Sequence, residues 1–212
     1  LAAEHAAEVL ALMSAQEVAA MLASVDLENA AKILEAMKDF FFVAEVLGIM
    51  EKMRSVNIMR KMQLKTRAVI FAHMPLEAAC EYVKMFDVRE QTHLMEVMDP
   101  RIAAAILRLL ELKDTALLLS NLPAEIAASL LGCMTPIYQA ELTSFLRVEI
   151  AHTILEQLPP ASVKQIITLV APEVAAALLA AMNKLDAAYV VQRLSDETVS
   201  EITSRLKPMA AA

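Results

Sequence analysis

Apolar and polar residues alternate along this chain in a pattern that closes every twelve positions. With one repeat set over residues 75–86, seventeen consecutive repeats run from residues 2–13 to 195–206, with Lys38 inserted between the third and fourth. Positions eight and nine are apolar almost throughout, as in Ile33-Leu34, Ile106-Leu107, Leu130-Leu131 and Leu178-Leu179; only Thr143 and Thr203 soften position nine. Position twelve is always large and apolar, and eight of the fourteen methionines stand there, where they read as core filling. Positions five and six are mostly Ala or Val. Positions five, eight, nine and twelve are spaced i, i+3, i+4, i+7, which is one apolar helical face. Each repeat therefore predicts a short amphipathic helix.

The same period excludes one continuous helix. Twelve residues at about 100° each turn the stripe by about 120° per repeat, so no coherent face would survive. All eight prolines fall at position one or two: Pro75, Pro123 and Pro159 at the first, Pro100, Pro136, Pro160, Pro172 and Pro208 at the second. Proline suits a helix start and disrupts an interior. Elsewhere position one carries capping types: Ser14, Asp26, Asp39, Asp87, Asp99, Thr135, Asn183 and Ser195. Gly48 and Gly132 share position ten, where a helix is expected to end on glycine.

A second period lies above the first. Glu at position three occurs in Glu4, Glu28, Glu77, Glu125, Glu149, Glu173 and Glu197, all in odd repeats, and suits the helix dipole, whereas even repeats carry Gln16, Phe41, Lys65, Arg89, Lys113, Ile137, Ala161 and Leu185 there. Two kinds of helix alternate. The expected fold is all-α: a right-handed α-solenoid of about 17 short helices, with a 12-residue repeat inside a 24-residue two-helix module. Unbroken periodicity implies a single elongated domain over residues 1–212. Leu1 fits position twelve of a preceding repeat and Lys207-Pro208 opens another, so the chain reads as an excerpt of a longer protein.

Composition changes this picture little. The chain is 58% apolar with two glycines and no tryptophan, which suits a continuous helical core. The longest uncharged stretch, residues 126–140, is broken by Pro136 and too short to span a bilayer. No signal peptide is visible, and Cys80 and Cys133 do not suggest a disulfide framework, so a reducing, cytoplasmic setting is expected.

Catalytic signatures are missing. His5, His73, His93 and His152 occupy unrelated slots and form no recurring ligand spacing with Cys, Asp or Glu. Two isolated glycines cannot build a phosphate loop, and no nucleophile motif occurs. The reading is non-enzymatic, with no cofactor and no metal.

Charge is uneven. Residues 1–50 hold eight acidic and two basic groups, residues 51–113 eight and eleven, and residues 114–212 ten and six. In the basic middle, Lys65, Arg89 and Lys113 recur at position three every 24 residues, with Arg101 in the intervening repeat. Equivalent positions of a solenoid stack into a ridge. These four residues form a candidate basic stripe for an acidic protein surface; the competing reading is a solvated face balanced by nearby Glu. Lys84, Arg108 and Arg60 share position ten and form a candidate second row. Nucleic acid is not expected, because the chain is acidic overall, with net charge −7. Phe40, Phe41 and Phe42 follow the Lys38 insertion at positions that are elsewhere mostly polar. Either they are an exposed aromatic anchor for a partner, or the insertion turns them inward.

Several repeats resemble a known family. The runs Asp99-Pro100-Arg101-Ile102-Ala103-Ala104-Ala105-Ile106-Leu107 and Pro123-Ala124-Glu125-Ile126-Ala127-Ala128-Ser129-Leu130-Leu131 resemble repeats of the MgtE intracellular N-terminal domain, as do residues 26–37 and 171–182. A similar short-helix, armadillo-like superhelix occurs in the middle domain of the flagellar switch protein FliG. That protein's Glu-His-Pro-Gln docking motif has no counterpart here; residues 4–7 read Glu-His-Ala-Ala. The resemblance implies fold first. It also implies an alternative function, a cytosolic Mg²⁺-sensing regulatory domain of a magnesium transporter, in which acidic surfaces share hard cations with a neighbouring domain. The primary expectation remains a scaffold that mediates protein–protein contacts in a larger intracellular assembly, for example a cytoskeletal or flagellar one, and stacks on further repeats of the same protein.

Overall fold

The computed structural model describes residues 2–206; Leu1 and the Lys207-Pro208 step lie outside the described residues. Seventeen helices and no strand occur among them. They group into two compact bodies divided between Leu109 and Leu110. The first holds α1 (Ala2–Leu10), α2 (Ala15–Leu22), α3 (Leu27–Ala36), α4 (Phe40–Ile49), α5 (Lys52–Lys61), α6 (Leu64–His73), α7 (Leu76–Lys84), α8 (Val88–Val97) and α9 (Pro100–Leu107). The second holds α10 (Leu112–Asn121), α11 (Ala124–Gly132), α12 (Pro136–Phe145), α13 (Val148–Leu155), α14 (Pro160–Leu169), α15 (Pro172–Ala181), α16 (Lys184–Val191) and α17 (Asp196–Leu206). Each helix falls within one twelve-residue repeat.

Helices two places apart make most of the close backbone contacts. In the first body α1 packs on α3 and α3 on α5, while α2 packs on α4, α4 on α6 and α6 on α8. In the second body α11, α13, α15 and α17 form one such series and α10, α12, α14 and α16 the other. Odd and even helices thus build two rows packed in series, as in a helical solenoid.

The apolar stripe explains the core. Leu34, Leu47, Ile58, Met59, Ile70, Phe71, Ile106, Leu107 and Leu118 are fully buried, all at positions eight or nine. The two positions point in opposite directions along the rows. Position eight is open in the first two repeats, with Val9 62% and Met21 49% exposed, yet buried in the last at Ile202. Position nine does the reverse: Leu10 and Leu22 are buried, and Thr203 is exposed. Position eight faces the preceding helices and position nine the following ones.

Helix starts follow position one. Ser14, Asp26, Asp39, Asp87, Asp99 and Asn183 each accept a backbone N–H in the first turn with their side chains. Thr135, before Pro136, makes no such bond. Glu51, an unexpected cap, accepts from Met53 and Arg54 N–H at 2.9 and 2.8 Å. The glycines differ from expectation. Gly48 lies inside α4, Gly132 is the last residue of α11, and neither has a positive φ. Some helices end by turning directly into extended backbone, as at Met50 and Met98, and others pass through a right-handed cap residue, as at Cys133 after Gly132, so no left-handed residue is needed.

Candidate functional site

Position three is the second residue of each even helix, and it is exposed in all eight of them. In the first body this places Gln16, Phe41, Lys65 and Arg89 at one register position of α2, α4, α6 and α8, which pack in succession. In the second body Lys113, Ile137, Ala161 and Leu185 occupy it on α10, α12, α14 and α16. Each even row carries a ridge.

Local structure holds the first ridge at its helix starts. Asp39 accepts the Phe42 N–H at 3.1 Å and so winds the three phenylalanines into the first turn of α4. The start of α6 is held from another helix: Gln63 N–H donates to Glu35 Oε1 of α3 at 2.6 Å. The start of α8 is a capping box, in which Asp87 Oδ1 accepts the Glu90 N–H at 2.8 Å and Glu90 Oε2 accepts the Asp87 N–H at 3.1 Å.

The basic residues are not equivalent. Lys65 and Arg89 are exposed and join no ion pair among the described residues; Arg101, exposed on the odd helix α9, also joins none. Lys113 forms an ion pair with Glu111 at 2.8 Å, which raises its pKa. The Lys65 and Arg89 charges sit in first helical turns, where the helix dipole disfavours a cation. The position-ten row is mixed. Lys84 and Arg108 are exposed, but Arg60 is clamped by Glu90 through two hydrogen bonds of 2.9 and 3.0 Å.

That clamp anchors a cluster in the first body. Arg60 and Arg67 lie 5.8 and 5.9 Å from the Phe86 ring centre, and Phe86 leans on Phe71. The hydrogen bonds from Arg60 hold the Glu90 carboxyl below its usual range, while burial lowers the Arg67 pKa. Of the three phenylalanines, Phe41 is 66% exposed; Phe40 and Phe42 are half-buried, Phe40 beside the His73 ring at 6.4 Å. The helical first turn divides the triplet between surface and interior.

Position five was read as an Ala/Val slot, and the structure adds polar donors there. Gln91 Nε2 donates to the Val83 and Phe86 carbonyls at 2.8 and 3.0 Å, and Gln139 Nε2 to those of Leu131 and Met134 at 2.9 and 3.0 Å. Each glutamine bonds carbonyls at and just beyond the end of the preceding helix, where helical partners run out. The recurrence of Gln at one register position, 48 residues apart, was the signal in the sequence.

Among the described residues no three His, Cys, Asp or Glu side chains converge as metal ligands, and no helix is long and apolar enough to cross a membrane. Cys80 is buried and Cys133 exposed, both as free thiols.

The model of the MgtE intracellular N domain matches this chain twice, over residues 50–147 and over residues 138–212. The chain belongs to the MgtE intracellular N domain family. Lys65, Arg89, Arg101 and Lys113 of this MgtE N domain protein fall within the first match; Phe40, Phe41 and Phe42 precede it. No curated protein and no solved structure matches the chain. Two successive matches agree with its construction, because a fold made of identical steps can be lengthened by adding steps.

Proposed function

We propose that this MgtE N domain protein is a non-catalytic helical-repeat scaffold that docks protein partners of an intracellular assembly through the ridge on its even helices. One observation carries the reading. Lys65 and Arg89 are exposed, without ion-pair partners among the described residues, at helix starts that disfavour a positive charge. Cations placed against the local dipole contribute nothing to their own helices, so an acidic partner surface is the reason for them. Arg101 adds a further exposed cation to the first body, on α9; Lys113, in the second body, is partly neutralised by Glu111. Nothing in the ridge favours a cytoskeletal or flagellar assembly over another.

The test is crosslinking mass spectrometry of the full-length protein in its own cells, wild type against Lys65→Glu/Arg89→Glu. Crosslinks from neighbouring Lys61 and Lys84 to carboxylate-rich segments of one protein, lost in the variant, are expected. The same crosslinks in both proteins would refute the ridge as the docking edge.

Family membership favours a second reading, a Mg²⁺-responsive regulatory domain of a transporter. It predicts that Mg²⁺ slows amide exchange in the full-length protein at acidic surfaces of this domain, and that a membrane channel lies in the same complex. Exchange indifferent to Mg²⁺ would count against it.

A further inference from the structure

The exposed aromatic and the unpaired cations occupy one edge. Phe41, Lys65 and Arg89 stand at the same register position on α4, α6 and α8, and α4 packs on α6 and α6 on α8. One turn further along the same helices, position seven carries Glu45, Val69 and His93. The carboxylate at that position belongs to the helix that bears Phe41; beside Arg89, the Asp87 and Glu90 carboxylates are engaged in the α8 capping box, Glu90 also with Arg60. The edge has an apolar end and a positive end.

We infer that this edge binds an acidic linear segment of a partner protein whose single apolar side chain covers Phe41 while two carboxylates meet Lys65 and Arg89. This rests on the docking reading and specifies its ligand. Packed helices lie about 8–10 Å apart, and a polyproline-II segment advances about 3.1 Å per residue with three residues per turn, so side chains three apart share one face. One helix step thus equals about three residues of ligand. The segment takes the form apolar-x-x-acidic-x-x-acidic, read in either chain direction. Phe41 supplies contact area that is independent of salt, and the two cations supply register and attraction that salt weakens. A ligand with only charges would use half the edge; one with only apolar groups would leave Lys65 and Arg89 beside desolvated neighbours.

The experiment is selection of a displayed random twelve-residue peptide library on the full chain, followed by anisotropy titration of the enriched peptides. Wild type, Phe41→Ser and Lys65→Glu/Arg89→Glu are compared, with circular dichroism to check that each is folded; all three positions are exposed. Enriched peptides are expected to carry two acidic residues three apart and an apolar residue three further on. Binding is expected to weaken about tenfold in each variant, the size of a moderate interface hot spot. Acidic peptides that bind Phe41→Ser as well as wild type would overturn the two-part edge and leave the basic docking reading standing. Enrichment without acidic residues, or no enrichment, would overturn both.

Discussion

The Tyr82 hydroxyl on α7 donates a 2.7 Å hydrogen bond to the carbonyl oxygen of Leu47, near the end of α4. Ser55 Oγ on α5 donates to the same oxygen at 2.8 Å, and both side chains are buried. One carbonyl in the last turn of a helix thus ties together three helices. Burial raises the tyrosine pKa, so the hydroxyl stays a donor at neutral pH. Tyr82→Phe and Ser55→Ala should each cost about 1 kcal/mol, because either donor alone still satisfies the oxygen. The double variant should lose more than the sum, since a buried carbonyl without a donor costs about 1–3 kcal/mol. Urea unfolding of the four proteins measures the coupling, and strict additivity would show that the two bonds do not share an acceptor.

Lys65→Glu should stabilise the fold. The substitution places an anion at the start of α6 without removing an ion pair, for an expected gain of about 0.3–1 kcal/mol at low salt. The gain should shrink in high salt. Thermal unfolding at two ionic strengths checks it, and a loss of stability would mean that Lys65 is integral to the fold.

Gly48→Ala should also stabilise. Gly48 is helical with φ negative, and a methyl group added there meets nothing within 4 Å. Removing the backbone freedom of a helical glycine contributes about 0.5–1 kcal/mol. Denaturant midpoints of the two proteins decide this.

Acid should weaken the first body through Glu90. Arg60 holds the Glu90 pKa below its usual value of about 4.3, so the pair stabilises the folded state above that pH. The contribution disappears as pH falls through the depressed value, when the folded state also takes up the proton. Partial exposure keeps the effect to about 1 kcal/mol or less. In Glu90→Gln the loss of stability on acidification should be correspondingly smaller, as measured by unfolding between neutral and acid pH.

The repeat lattice was legible in the sequence because it rests on local rules. Proline and capping side chains act within one turn, and an apolar stripe reports its own helix. Burial of Ile106 and Leu107 and the start of α9 at Pro100 follow from those rules alone. What pairs across helices was not legible. The position-three spacing of Lys113 matches that of Lys65, but only the fold shows that Lys113 leans on Glu111 while Lys65 has no such partner. Gln91 and Gln139 sit among alanines in the alignment of repeats, and their carbonyl partners belong to the preceding helix and the turn after it. Phe41 shares position three with Lys65 in the bare sequence, but only the fold separates it, exposed, from its half-buried neighbours Phe40 and Phe42.

The two-row packing gives each body a parity. Because helices contact those two places away, a deletion or duplication of twenty-four residues leaves every later helix in its own row. A change of twelve would move all later helices to the opposite row, where Glu77 would stand in place of Lys65 or Arg89 and small position-five alanines would replace the bonding glutamines. Such a chain would keep its periodicity and its apolar stripe but mismatch at each junction. Arrays of this kind can therefore lengthen or shorten only by whole pairs of helices, as a strand can shift register only by whole pleats.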